Sequence, residues 1–180
     1  MHAPIIYSDR IYLKALSIKH LSQDYVGWLN NATVNQYLET GGDYNIEKLA
    51  EYLNSVEQNP ILFWAIHLSK DDKHIGNIKI DPVNLRHGVG EYGILLGDTK
   101  EWGKGYAREA TERVLEYCFG PNLNLRKVVL GVVAKNTSAV NLYKKMGFET
   151  EGLYVKHGLY GSEYCDTVRM AIFNPNMNDL

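Results

Sequence analysis

The chain has 180 residues, of which 45% are hydrophobic and 22% charged, with a formal net charge of -2. That length suits a single domain over 1–180 with a core of its own, and a nearly balanced charge gives no general attraction to nucleic acid or an anionic membrane. The start, MHAPIIYSDR, lacks a basic segment followed by a long apolar run, no later run is long enough to cross a bilayer, and the two cysteines, Cys118 and Cys165, have neither CxxC nor metal-ligand spacing, so a reducing, cytoplasmic setting without disulfides is expected.

In chain order, RIYLKAL at 10–16 alternates and predicts a first strand. Ser17 is placed to cap a helix over 18–29, with Leu21, Tyr25, Trp28 and Leu29 on one face. A helical turn at 33–38 and a glycine-containing loop at 40–45 precede a second helix over 46–56, whose Leu49, Leu53 and Val56 face inward, and Asn59-Pro60 breaks the chain. Three runs, 62–68, 74–82 and 87–96, read as antiparallel strands separated by the turn residues Asp71-Asp72-Lys73 and Asn84 to His87. A helix over 103–119 follows, then a buried strand at 127–133, a helix over 136–146 closed by Gly147, and two strands at 150–160 and 162–173 meeting at Gly161-Ser162. The order is strand, two helices, three strands, helix, strand, helix, two strands: an α+β protein.

The chain is organised around residues 91–116. A strand ends at Leu96, Gly97-Asp98-Thr99 turns the chain, and after Trp102 the apolar spacing becomes helical through Tyr106, Ala107, Ala110, Val114, Leu115 and Cys118. Gly103 and Gly105 stand at the helix start, where unpaired backbone donors and the positive end of the helix dipole make an anion cradle suited to phosphate or diphosphate. Two phosphate motifs fail here. A Walker A loop needs four residues between its glycine and Gly-Lys, but five separate Gly97 from Gly103, and Lys104 is followed by glycine rather than a hydroxyl residue. A dinucleotide fingerprint needs a third glycine where Arg108 stands.

Lys100-Glu101-Trp102-Gly103-Lys104-Gly105 instead resembles the acyl-CoA turn of the GNAT N-acetyltransferases, Gln/Arg-x-x-Gly-x-Gly/Ala, with lysine in the first place. The Trp-Gly-Lys-Gly-Tyr-Ala form is similar to the branch holding the RimJ/RimL-type ribosomal-protein acetyltransferases and the spermidine acetyltransferases. Downstream, Asn136-Thr-Ser-Ala-Val-Asn-Leu-Tyr143-Lys-Lys-Met-Gly147-Phe148 resembles the second GNAT signature, Asn-x-x-Ala/Ser-x-x-x-Tyr-x-x-x-Gly-Phe. The resemblance implies a GNAT fold: a mixed, mostly antiparallel seven-stranded sheet flanked by four helices, with its fourth and fifth strands splayed to admit the pantetheine arm of acetyl-CoA. It implies Tyr143 as general acid toward the coenzyme sulfur and a backbone N–H among Leu95, Leu96 and Gly97 as oxyanion donor. Coenzyme contacts are expected from Trp102, Gly103, Lys104, Gly105, Tyr106, Ala107, Asn136, Asn141 and Lys145. Glu91 on the fourth strand is the candidate base, beside the structural alternative of a strand-end carboxylate held by an arginine. No metal is expected, because the six histidines show neither HxH nor HExxH spacing.

The resemblance places the acceptor between the first helices and the last hairpin, here 28–40 and 157–166, with Trp28, Asn31, Tyr37, Tyr160 and Asp166 as candidate contacts. Both stretches are aromatic and polar with few basic residues, which points to a small polar amine such as a nucleotide-linked amino sugar. A polyamine, favoured by the series Glu39, Asp43, Glu47 and Glu51, and a protein N-terminus are the alternatives. So is a module that binds acetyl-CoA without turnover. A homo-oligomer is left open.

Overall fold

A computed structural model of the chain describes residues 1–39, 42–59 and 61–177. The expected loop at 40–45 and the break at Pro60 therefore lie partly outside the described residues. Eight strands form one sheet: β1 (Ile6–Tyr7), β2 (Ile11–Ala15), β3 (Leu62–Leu68), β4 (His74–Asn84), β5 (Val89–Leu96), β6 (Lys127–Val133), β7 (Glu149–Tyr160) and β8 (Glu163–Phe173). Their order across the sheet is β1-β2-β3-β4-β5-β6-β8-β7. The α+β class stands as expected, with one strand more than the seven read from the sequence. The two residues of β1 are too short to show a period, and they exist as a strand because Ile6 and Tyr7 pair with Leu13 and Tyr12.

Among the described residues five α-helices flank the sheet: α1 (Gln23–Asn30), α2 (Ala32–Asn35), α3 (Ile46–Gln58), α4 (Tyr106–Phe119) and α5 (Thr137–Lys145). The single helix expected over 18–29 is broken. Ser17 forms a capping box with His20, and the result is a 3-10 turn at Ile18–His20 after which Leu21 is extended. Ser22 then restarts the chain as a helix by accepting the Tyr25 N–H at 3.2 Å. Two serines five residues apart each satisfy one set of free N–H groups, and two short helical pieces replace one long one.

Alternation along the strands feeds two cores. Trp64 and Ile66 of β3, Ile78 and Ile80 of β4 and Tyr92 of β5 face α4, whose Ala110, Val114 and Cys118 are fully buried. On the opposite face Ala65 packs with Leu49 and Leu53 of α3 and with Tyr25 and Leu29 of α1. Burial of each such leucine is worth about 1.5–3 kcal/mol, so each helix is pinned by its apolar stripe. The sheet has one parallel junction, β5 with β6, and it is brief. Val89, Gly90 and Glu91 pair with Lys127, Val128 and Val129, and no pairing follows. Beyond Glu91 the remaining halves of β5 and β6 part, while β5 stays bound to β4 and β6 to β8. This opening is the splay expected between the fourth and fifth strands, now numbered β5 and β6.

Candidate active site

Three elements converge on the splay. The first is the turn from Trp102 into α4. Gly103 has φ 74° and Gly105 φ 85°, a left-handed backbone that glycine adopts without steric cost. A Cβ at Gly103 would meet nothing within 4 Å, so that glycine is present for its backbone angle and not to avoid a clash. Gly105 is the N-cap of α4 and offers no side-chain cap. The N–H groups of Gly103, Lys104, Gly105, Tyr106, Ala107 and Arg108 have no hydrogen-bond partner among the described residues; the first helical bond is Glu109 N–H to the Gly105 carbonyl at 3.0 Å. Six consecutive free donors at the positive end of a fourteen-residue helix fit a diphosphate. The Lys104 ammonium is turned aside, 2.9 Å from Glu101.

The second element is the free end of β5. Gly97 donates to the Ile75 carbonyl at 3.0 Å, which commits its N–H to β4. Pairs in an antiparallel ladder alternate between bonded and non-bonded, so Leu95, opposite Asn77, also bonds to β4, whereas Leu96, opposite Gly76, turns its N–H and C=O toward the splay. The Leu96 carbonyl accepts the Trp102 indole N–H at 2.7 Å. Of the three candidate oxyanion donors, the ladder leaves Leu96.

The third element is α5. Asn136 caps it by accepting the Ala139 N–H at 3.2 Å. The helix ends at Gly147, φ 92°, and Phe148 folds back with its N–H on the Tyr143 carbonyl at 3.0 Å. Tyr143 is thereby held against Tyr92 of β5, ring centroids 5.8 Å apart and nearly perpendicular, with Phe148 5.6 Å away. Tyr143 is only 7% exposed. Burial pushes its phenol up to about 12, partly offset by the neighbouring Tyr92 hydroxyl. The Tyr92 hydroxyl pairs with Thr111 Oγ1 at 2.7 Å, and Thr111 donates to the Ala107 carbonyl. Asn141 and Lys145 lie on the exposed side of α5.

Glu91, the last residue of β5 to pair with β6, accepts from Arg169 Nη1 at 2.8 Å. Arg169 reaches it across Gly131, where a Cβ would stand 2.9 Å from the guanidinium. Among the acceptor candidates, a groove of about 370 Å³ joins Asn35, Gln36, Leu38 and Glu39 at and after the end of α2 to Leu159, Tyr160 and Gly161 of the last hairpin. Tyr160 lines it, and Tyr37 donates to the Lys135 carbonyl at 3.5 Å, tying the groove to the loop between β6 and α5. Trp28, Asn31, Tyr37 and Asp166 do not line it. Trp28 lies in the space a Gly97 side chain would fill. Asn31 caps α2 through the Thr33 N–H at 2.9 Å, and Asp166 accepts the Lys156 N–H at 2.7 Å in the bulge of β7. Tyr92 and Arg169 escaped the sequence reading: each lies far along the chain from the residue it serves, and only strand alternation hinted at the face they share with it. Among the described residues no group of three His, Cys, Asp or Glu side chains could hold a metal ion, and no helix is long and apolar enough to cross a membrane.

Residues 10–149 match the acetyltransferase (GNAT) domain model. The chain belongs to the GNAT acetyltransferase family. It is 37% identical over 98 residues to spermidine N(1)-acetyltransferase from Vibrio cholerae, a stretch covering 54% of this chain and 56% of that protein; the chain thus spans little more than half the length of that relative. It is 33% identical to the uncharacterized N-acetyltransferase YnaD of Bacillus subtilis, over 96% of this chain and 99% of that one. A crystal structure of the Vibrio cholerae spermidine N-acetyltransferase in complex with CoA and spermine superposes with a TM-score of 0.82 at 28% identity, covering 93% of this chain and 97% of that chain. The GNAT chain described here thus has relatives that act on a polyamine.

Proposed function

We propose that this GNAT protein transfers acetyl from acetyl-CoA to a primary amine of a polyamine of the spermidine type. The run of six free N–H groups leading to a splay with Tyr143 at its side carries the acetyl-transfer part of this reading. The polyamine part draws support from the spermidine acetyltransferases among the relatives and from Glu39, which lines the groove beside Tyr160, whose phenol is raised first by burial and then by the Glu39 charge. Those relatives favour the polyamine alternative over the nucleotide-linked amino sugar and over a protein N-terminus.

The cradle from Gly103 to Arg108, with Asn136 and the free edge of β5, would hold the coenzyme. When bound, the coenzyme supplies a thioester that a neutral amine attacks readily once the two are held together. A free alkylamine, pKa ~10.4, is neutral at pH 7 only at a cost of ~4–5 kcal/mol. Glu91, at the point where the strands part and with one oxygen on Arg169, draws that proton off through water. The Leu96 N–H stabilises charge developing on the acetyl oxygen. Tyr143 stays protonated through the physiological range and holds the proton that the departing sulfur requires.

Thiol release from acetyl-CoA, measured over a panel of spermidine, spermine, short peptides with free N-termini and a nucleotide-linked amino sugar, tests the proposal. The polyamines are expected to lead in kcat/KM by about 100-fold, some 2.7 kcal/mol of discrimination. A peptide or amino sugar at the head of the ranking would transfer the assignment to that class. CoA binding with no turnover on any amine would make the chain a binding module.

A further inference from the structure

One side chain outside both signature motifs engages the cradle on several atoms. Arg10, at the entrance to β2, donates from Nε to Glu109 Oε2 at 2.8 Å, and its Nη2 lies 2.7 Å from the same oxygen. Its backbone N–H reaches Glu109 Oε1 at 3.0 Å. Nη1 takes the Lys104 carbonyl at 2.9 Å, and the guanidinium stacks over Tyr106 at 4.7 Å from the ring centre. We infer that Arg10 is a positioning residue for coenzyme binding, which silences the Glu109 carboxylate beside the cradle and fixes the peptide between Lys104 and Gly105.

The role of Arg10 has two parts. Glu109 lies in the first turn of α4, one residue beyond the last free N–H, where a carboxylate favours the helix but repels an anion bound at its start. Its side chain is only 13% exposed, so water screens little of that repulsion. Two charge-assisted bonds from Arg10 neutralise it. The second part is geometric. A trans peptide is planar, with its carbonyl and N–H on opposite sides. When Arg10 holds the Lys104 oxygen, the Gly105 N–H is turned away from Arg10 and left available. Glycine at 103 and 105 makes this peptide free to rotate; Arg10 chooses one orientation.

This inference rests on the coenzyme reading of the cradle, and its test separates the two. CoA binding by titration calorimetry, with steady-state kinetics on spermidine, is measured for the wild type, Arg10→Met, Arg10→Lys and Arg10→Met/Glu109→Gln. Arg10→Met is expected to raise the Kd for CoA and the KM for acetyl-CoA about 10–100-fold, with kcat at saturating acetyl-CoA and the amine KM within about twofold. Arg10→Lys, which keeps the charge and loses the fork, should fall between. Adding Glu109→Gln to Arg10→Met should recover at least threefold in Kd. Unchanged CoA affinity in both Arg10 variants overturns the inference, as does a loss of kcat in step with affinity, or a double variant no better than the single. If Arg10→Met does not fold, Arg10→Lys and the double variant decide between the same outcomes. A wild-type protein that does not bind CoA overturns the coenzyme reading itself.

Discussion

Tyr143 stands edge-on to Tyr92, ring centroids 5.8 Å apart at 84°, and Tyr92 is itself tied through its hydroxyl to Thr111 of α4. The proposed acid is therefore braced by a strand and two helices, all on one face of the sheet. Phe148 completes an apolar surround. Tyr143→Phe should leave the fold intact, because the ring still fills its place, with thermal stability changed by about 1 kcal/mol or less. It should lower kcat about 10²–10⁴-fold with acetyl-CoA affinity held. Calorimetry and single-turnover kinetics on the purified variant check both halves, and full activity in the phenylalanine form would remove Tyr143 from the mechanism.

Glu91 shares one carboxylate oxygen with Arg169, and its role is separable by pH. As the group that takes the amine proton, Glu91→Gln should reduce kcat/KM about 10–100-fold at pH 7 and much less near pH 10, where the amine surrenders its proton to bulk water. A loss of equal size at both pH values would mean that the Arg169 pair matters as structure.

Gly97 ends β5 directly against the Trp28 ring, in space that a methyl group would need. Gly97→Ala must displace either Trp28 or the strand end that carries Leu96. The expected result is a loss of about 1–3 kcal/mol in stability by urea titration, with kcat falling more than the KM for acetyl-CoA, since the cradle lies on the other side of Trp102. Trp28→Phe in the same chain should return part of the stability by giving the methyl group room.

Three histidines from the 3-10 turn, β3 and β4 cluster beside α1: His67 and His74 stack and His20 stands edge-on to both, with ring centroids 5.1–5.3 Å apart. Tyr25 and Trp28 pack on His74, Lys14 and Asp72 stand beside His67, and His74 bonds Asn77 at 2.9 Å. Burial lowers His74 to about 3 and His20 to about 4. Neutral in the folded state, these rings take protons on unfolding once the pH drops below about 6.5, so stability is constant above that value and lost as pH falls toward 4. At pH 5 the half-buried His74 accounts for up to about 2 kcal/mol. Urea midpoints recorded from pH 7.5 to 5 should decline for the wild type and decline less for His74→Gln. Parallel curves would show that the ring titrates alike in both states.

The acceptor groove makes one more demand. Glu39→Gln should raise the KM for spermidine about 3–10-fold and leave the KM for acetyl-CoA unchanged, a split that steady-state kinetics reads directly. No change in the polyamine KM would mean the cation binds elsewhere.

Local chemistry in the chain determined the strands at 62–68 and 127–133, the glycine pair before α4, the helix of Tyr143 with its glycine exit, and with them the family. Each of these is written in residues a few positions apart, and the interactions that enforce them are of equally short range: alternation, capping and left-handed glycine. Where two local signals competed the chain alone was ambiguous. Ser17 and Ser22 both cap, and the structure uses both, so that a 3-10 turn and a short helix replace one continuous helix.

Tertiary structure decided the rest. Only the register of β5 on β4 selects Leu96 over Leu95 and Gly97 as the donor facing the splay. Only the approach of β2 to α4 brings Arg10, 99 residues before Glu109, into contact with it. Asn31 and Asp166, polar and well placed in the sequence, are engaged by nearby backbone N–H groups, while Tyr160 is left facing the groove. A side chain's chemistry belongs to its residue type, but its availability depends on which distant groups the fold has brought within hydrogen-bonding reach, and that is set by packing across the whole sheet.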